Sequence, residues 1–335
     1  MRLGCAGKTL GKPGLKSYDA RRRDHDPHLS ISLAYVRDIL CHLDQAGIRF
    51  YRLSAKLAPY VHGNDDRDLT AQIDDCRAEL AFVGDLARGM NTRLSIHAPL
   101  HTVLTCEEEV VANRGARELR TLANILDGMS TGPEAVVVLH VGGVYDDRRA
   151  AVGRFQRRFA RLPEFVRRRI ALENDGRRYS LADVWQLSHT CECPIVFDRL
   201  HFLLHNPEGL PLDEALQMAL ESWPPNTTPI VHFSSPRTDV HFLTRGRGVA
   251  AQHSARAPSW SRHSDYVNPF GFIAFVESAR GLGEFDVMLE AKAKDLAVIR
   301  LREDLKRYAP SLAGRLVNGR SREPASEVDG FGPSS

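Results

Sequence analysis

The sequence predicts a single (β/α)₈ barrel, an α/β fold with face loops over one rim. Three observations carry that expectation. Eight short apolar runs alternate with helical periodicity, six of those runs close on a histidine or a carboxylate, and nothing signals a second core. Short continuous apolar runs mark strands buried on both faces, and in a barrel all their carboxyl ends meet on one rim. A doubly wound open sheet would predict a glycine-rich phosphate turn after an early strand, and no G-x-G-x-x-G or Walker pattern is present.

In order, residues 2–6 read as the first strand, followed by a loop carrying Lys8, Lys12 and Lys16 and the arginines at 21–23. Ser30 starts a helix in which Leu33, Val36, Ile39, Leu40 and Leu43 recur at helical spacing, and Gly47 ends it. Strand two spans 48–53 and closes on Ser54; a helix over 73–88 leads to strand three at 93–97. Helices over 112–126 and 152–162 precede strand four (135–140) and strand five (170–173). Ser180, with Asp183 three residues on, is an N-cap for a helix over 181–188. Strand six (194–198), a helix over 211–221, strand seven (229–233), a helix over 272–280, strand eight (285–290) and a last helix over 293–308 complete the pattern. Residues 1–310 are therefore expected to form the catalytic barrel and 311–335 a polar, disordered tail. Residues 238–267, rich in Arg, Ser and His, read as an insertion looped over the site.

Composition excludes several classes. A chain of 335 residues, 43% hydrophobic, holds one large core. Six cysteines are too sparse for a disulfide framework and Cys191-Glu192-Cys193 is too tight for a zinc half-site, so all six are read as reduced, in the cytoplasm. No run is long enough to span a membrane, and the mature chain is expected to begin at Met1. The net charge of +3 permits a polyanionic partner without requiring one. The basic residues are mostly Arg, whose planar fork suits phosphate, including pairs at 157–158 and 177–178, a triplet at 167–169, and Arg245 with Arg247.

The strand-end residues carry the chemistry. His97, His140, Glu173, Asp198, His232 and Glu290 close apolar runs, and His201 follows three residues after Asp198. Imidazoles and carboxylates converging on one rim match nitrogen-and-oxygen ligation of Zn²⁺ or Mn²⁺. They are too many for one ion, so a cluster of two or three is expected, with Glu173 bridging. Any one of these residues alone is better read as a paired core group; their joint placement is what argues for metal. His25, His28, His42, His62, His189, His205 and His253 lack that placement and are read as ordinary.

Beyond these spacings, the chain resembles the UV damage endonuclease family (UvdE) from Arg2 to about Leu305. The resemblance rests on Phe50-Tyr51-Arg52-Leu53-Ser54, Leu139-His140-Val141-Gly142-Gly143, Leu172-Glu173-Asn174-Asp175, Asp198-Arg199-Leu200-His201, His263-Ser264-Asp265-Tyr266 and Met288-Leu289-Glu290-Ala291-Lys292. It implies a relative of the endonuclease IV barrels that nicks duplex DNA immediately 5′ of pyrimidine dimers, 6-4 photoproducts and abasic sites. It implies metal ligands at His97, His140, Glu173, Asp198, His201, His232, His263 and Glu290, with Glu173, His232 and Glu290 catalytic. Asp239 and His241 compete with His263 as loop ligands, and Asp265 is a further helper. The cofactor expected is two or three divalent ions, Mn²⁺ first, Zn²⁺ or Mg²⁺ as alternatives. The partner is damaged double-stranded DNA, met by a monomer working at the nucleoid and handing its product to downstream repair proteins. Lys8, Arg245 and Arg247 are expected on the DNA backbone, with Leu100 and His101 probing the lesion. The sequence departs from the family pattern at Cys5, Leu100, His101 and Ile230.

Two other readings share the same rim. A divalent-metal sugar isomerase or epimerase would need the His/Glu/Asp set but no basic loops. A lesion-binding relative would keep the metals and lack incision.

Overall fold

The computed structural model describes residues 1–22, 25–58, 69–145, 147–245 and 252–317. The first seven barrel strands are β1 (Leu3–Ala6), β2 (Phe50–Leu53), β3 (Arg93–His97), β4 (Val137–His140), β5 (Ile170–Glu173), β6 (Ile195–Asp198) and β7 (Ile230–Phe233). A rim insertion adds β8 (Pro236–Arg237), β9 (His241–Arg245), β10 (Gln252–Arg256) and β11 (Ser259–His263). The eighth barrel strand, β12 (Asp286–Leu289), pairs with β7 and with β1, closing a parallel barrel in chain order. The (β/α)₈ expectation is met.

Around the barrel run α1 (Leu29–Gln45), α2 (Leu69–Asp75), α3 (Arg77–Gly89), α4 (Glu109–Gly128), α5 (Arg148–Ala160), α6 (Glu164–Arg167) and α7 (Leu181–Cys191). They continue as α8 (Arg199–Leu204), α9 (Leu212–Glu221), α10 (Pro269–Ser278), α11 (Asp295–Tyr308) and α12 (Pro310–Gly314). The apolar stripe of α1 is buried as its spacing predicts. Each such side chain contributes about 1.5–3 kcal/mol on leaving water. His28, rather than Ser30, caps α1, its ring accepting from the Ser30 N–H, and Gly47 turns the chain out at φ +68°. Ser180 and Asp183 form the expected capping box on α7.

Three expectations need correcting. The helix over 73–88 is two helices, because Cys76 takes φ −100°, ψ 22° at the α2–α3 junction while its side chain stays buried. The insertion is not a plain loop: β9 pairs antiparallel with β10, and β11 with β8. The tail does not begin at 311, since α12 buries Leu312 in the main core and Leu316, just after it, packs there too. Residues 318–335 lie outside the described residues, as do Arg23, His62 and Arg247. No helix among the described residues is long and apolar enough to cross a membrane.

Strand alternation positions the site. Ala6, Phe50, Val138, Ala171, Val196, Ile230 and Met288 form a separate inner cluster inside the barrel. Side chains two residues apart on a strand share a face. Two positions beyond members of this cluster, towards the carboxyl ends, stand Arg52, His140, Glu173, Asp198, His232 and Glu290. Gly4 faces the same interior, where a Cβ would come within 2.8 Å of Phe50 and 2.9 Å of Met288. The opposite end is closed by Arg93, which pairs with Asp286 at 3.0 Å and lies over the rings of Phe50 and Trp223. The apolar and ionic plug at one end leaves the other end for chemistry.

Candidate metal centre

Six strand ends deliver their ionisable side chains to one place. Glu173 is fully buried, and its two oxygens face in different directions. Oε2 lies 2.7 Å from His97 Nε2 and 3.5 Å from His140 Nε2, while Oε1 lies 2.9 Å from His232 Nδ1 and 3.7 Å from His201 Nδ1. Two groups of ligand atoms result: His97, His140 and Glu173, and Glu173, Asp198, His232 and Glu290. In each group the atoms lie within 4.8 Å of one another, and Glu173 belongs to both. His263 Nε2 stands 3.6 Å from Glu290 Oε2, and His201 Nδ1 is 3.8 Å from Asp198 Oδ2. All eight sequence-expected ligands are therefore brought together.

The outer contacts fix which nitrogen faces inward. His97 Nδ1 is 2.7 Å from the Ala98 carbonyl, and His201 Nδ1 is 3.0 Å from that of Asn174. His97 donates there and turns Nε2 to Glu173, whereas His201 presents Nδ1 to that carbonyl and, at longer range, to Glu173 and Asp198. Asn174, completely buried, donates to the Asp198 carbonyl at 3.0 Å and accepts from the Asp198 N–H at 2.9 Å. It locks the end of β6 against β5. Sequence reasoning missed this role, and it missed Arg52, which pairs with Glu290. The inward parity of β2 was the available signal for Arg52.

Charge is strongly perturbed here. Burial alone would raise the Glu173 carboxyl, but His232, His140 and His97 hold it well below the usual range. Glu290 is likewise held far down by Arg52 and His232 against its burial. Burial pushes Asp198 up, with only partial relief from His201. Burial also lowers His140, whereas His201 is carried up to about 9 by Asp198, Glu173 and Glu290 despite its burial.

The residues fit a metal ion. Among the described residues the Oδ2 atom of Asp198 and the Nδ1 atom of His140 are buried without a hydrogen-bond partner, an arrangement that costs free energy unless a ligand or water satisfies it. Buried carboxylates packed against imidazoles offer a nitrogen-and-oxygen donor set for a divalent cation.

Beside the cluster is a groove of about 270 Å³, lined by Leu100, Val103, His140, Arg177, Arg178 and His201 among others. Leu100 lies at the edge of this groove and is 78% exposed. His101 stands 3.6 Å from buried Glu118, and Lys8 is exposed in the loop after β1. Arg245 lies in β9. Ile230 is buried in the inner cluster.

The model of the family described as UV-endonuclease UvdE matches residues 6–312. The chain belongs to the UvdE family. Among UvdE relatives, the UV DNA damage endonuclease of Bacillus velezensis is 28% identical over 305 residues, covering 89% of each chain. That of Halalkalibacterium halodurans is 31% identical over 265 residues, covering 78% of this chain and 76% of its own. The crystal structure of SacUVDE shares the fold at a TM-score of 0.74 and 24% identity, covering 92% of this chain and 98% of that one. The barrel of 3-keto-D-glucoside 4-epimerase from E. coli is similar at a TM-score of 0.57 and 11% identity, covering 92% and 99%.

Proposed function

We propose that this UvdE protein is a DNA-repair endonuclease that cuts the strand immediately 5′ of a UV photoproduct, with abasic sites as further substrates. The observation that carries the reading is the sharing of Glu173 between two ligand groups at the open end of the barrel. His97 and His140 would hold one ion, Asp198, His232 and Glu290 a second, with Glu173 common to both and His201 and His263 flanking them. Divalent ions bound there, Mn²⁺ before Zn²⁺ or Mg²⁺, would supply Lewis acidity to water and phosphate.

The chain's own groups do the rest. Glu290, kept ionised by Arg52 and His232, would hold negative charge beside the second ion and orient the attacking water by accepting a hydrogen bond, the water's proton passing to solvent. Water adds to phosphorus in line with the bond to the 3′ oxygen, that bond breaks, and a 3′-hydroxyl and a 5′-phosphate result. Lys8, Arg177 and Arg178 would hold backbone phosphates. Leu100 supplies an apolar wedge at the groove, since apolar side chains inserted between bases unstack them.

Family membership supports this reading over a sugar epimerase, whose likeness to the chain is one of fold. The test is a 5′-labelled duplex with one cyclobutane dimer, incubated with protein and Mn²⁺. The expected product ends in an extendable 3′-hydroxyl immediately 5′ of the dimer. A product mapping 3′ of the dimer, or turnover of keto-sugars in place of any product, would overturn the proposal.

A further inference from the structure

Lys294 stands apart from the groups already assigned. It adopts φ +57°, ψ −123°, a conformation that glycine tolerates and a long side chain normally avoids. The segment around it is pinned on both sides. The Glu290 N–H donates to the Phe233 carbonyl at 2.9 Å, that of Lys292 to Ser264 at 3.1 Å, and that of Ala293 to Asp265 at 2.9 Å. Beyond it, buried Asp295 accepts from the backbone N–H groups of Leu10 at 2.6 Å and Gly11 at 3.0 Å, and meets His42 at 2.9 Å. The same carboxylate therefore ties the lysine-bearing loop after β1 to the start of α11.

The charge count around Lys294 is unbalanced. The groups that act on its half-buried ammonium are Arg52, Glu290, Cys5 and Lys8. Glu290, the lone carboxylate among them, is already engaged by Arg52, by His232 at 3.6 Å and by His263 at 3.6 Å. The oxygens of Asp295 are taken by the β1 loop and His42. Cys5 is a fully buried thiol whose ionisation burial suppresses. The Lys294 ammonium has no hydrogen-bond or ion-pair partner among the described residues. Arg52, Lys8 and Lys294 thus share one side of the rim with Glu290 and Asp295, both of them already engaged.

We infer that Lys294 is a substrate-binding residue whose ammonium takes a backbone phosphate flanking the incised linkage, and that its backbone strain is the cost of presenting that ammonium. The inference rests on the incision reading above. It adds a contact on the side of the rim formed by β1, β2 and β12, opposite the groove at Arg177 and Arg178. A cation released from protein partners and half withdrawn from water binds phosphate more strongly than a solvated surface lysine.

The test uses the full chain with Mn²⁺ and a dimer-bearing duplex made uncleavable by a methylphosphonate at the incised linkage. Affinity is measured against salt for wild type, Lys294→Gly, Lys294→Gln and Lys294→Arg. The slope of log K on log salt should shrink by about 0.9 for the Gly and Gln variants and be kept by Arg. Lys294→Gly should melt at or above wild type, because glycine relieves the strain, so its lost contact is not unfolding. A second methylphosphonate, stepped along the flanking linkages, should weaken wild type at one position where Lys294→Gly is indifferent. An unchanged slope, or losses that add at every position, would overturn the inference. Failure of wild type to cut an ordinary dimer duplex would sink the incision reading alone, since the slope still reports the phosphate contact.

Discussion

Glu173 Oε2 lies 2.7 Å from His97 Nε2, although 76 residues of chain separate the two. His97 is tied to the Ala98 carbonyl through its other nitrogen, so this contact is fixed by the backbone of β3 and β5. Because Glu173 belongs to both ligand groups and Asp198 to one, their losses should differ. Glu173→Gln is expected to deplete both metal positions, and Asp198→Asn one. Elemental analysis after gel filtration reads the metal per chain. Equal content in the two variants would contradict the shared role.

Asp198 should also show opposite effects with and without metal. Burial raises its pKa in the ion-free protein, so the folded state holds a proton that the unfolded chain releases more readily. Ion-free stability is then fully present below the unfolded value and falls as pH rises through the raised one. At neutral pH, Asp198→Asn should raise the melting temperature in EDTA, by a margin equivalent to about 1–2 kcal/mol. In saturating Mn²⁺ the wild type should be the more stable, because ligand binding to the folded state adds stability. Calorimetry in the two conditions checks the crossover.

A conventional acid-linked contribution lies on the far side of the β1–α1 loop. Asp19, with its side chain 1% exposed, pairs with Arg21 at 2.7 Å and accepts the His28 N–H at 2.9 Å. Arg21, with help from that backbone donor, lowers its pKa to about 2. The stability it supplies is whole above the ordinary aspartate value and is lost as pH falls through about 2. Arg21 is half exposed, so about 1 kcal/mol is expected rather than the full linkage value. Denaturant midpoints of Asp19→Asn and wild type should converge as pH falls from 5 towards about 2.

Helix packing supplies a sharper test of the scaffold. A Cβ on Gly84 in α3 would lie 1.8 Å from the Met129 carbonyl oxygen at the end of α4. Backbone cannot yield as a flexible side chain would. Gly84→Ala should therefore destabilise by about 3 kcal/mol, outweighing its helix-propensity gain of about 1 kcal/mol. A melting temperature equal to wild type would show that the two helices do not meet this closely.

Much of this was legible in the sequence because buried parallel strands leave continuous apolar runs, and a charge at the end of such a run is conspicuous. His97, His140, Glu173, Asp198, His232 and Glu290 were readable on that ground alone. The rim hairpin was not, since residues 252–263 show no apolar alternation to mark β10 and β11. Arg52 and Asn174 act through partners far away in sequence, Glu290 and Asp198, and only closure of the barrel brings those pairs together. The break at Cys76 is a backbone detail that leaves the periodicity on either side intact. The tail begins later than expected because Leu312 and Leu316 sit in a segment too short to show a helical stripe, and only their contact with the core reveals them.

The central claim is that the buried cluster around Glu173 cuts UV-damaged DNA. Supercoiled plasmid, irradiated or not, is incubated with Mn²⁺ and either wild type or Glu173→Gln, and nicked circles are counted against time. Wild type is predicted to nick the irradiated plasmid alone, and Glu173→Gln to be slower by about 100-fold or more. No nicking above the unirradiated control, or equal rates for the two proteins, would contradict the account.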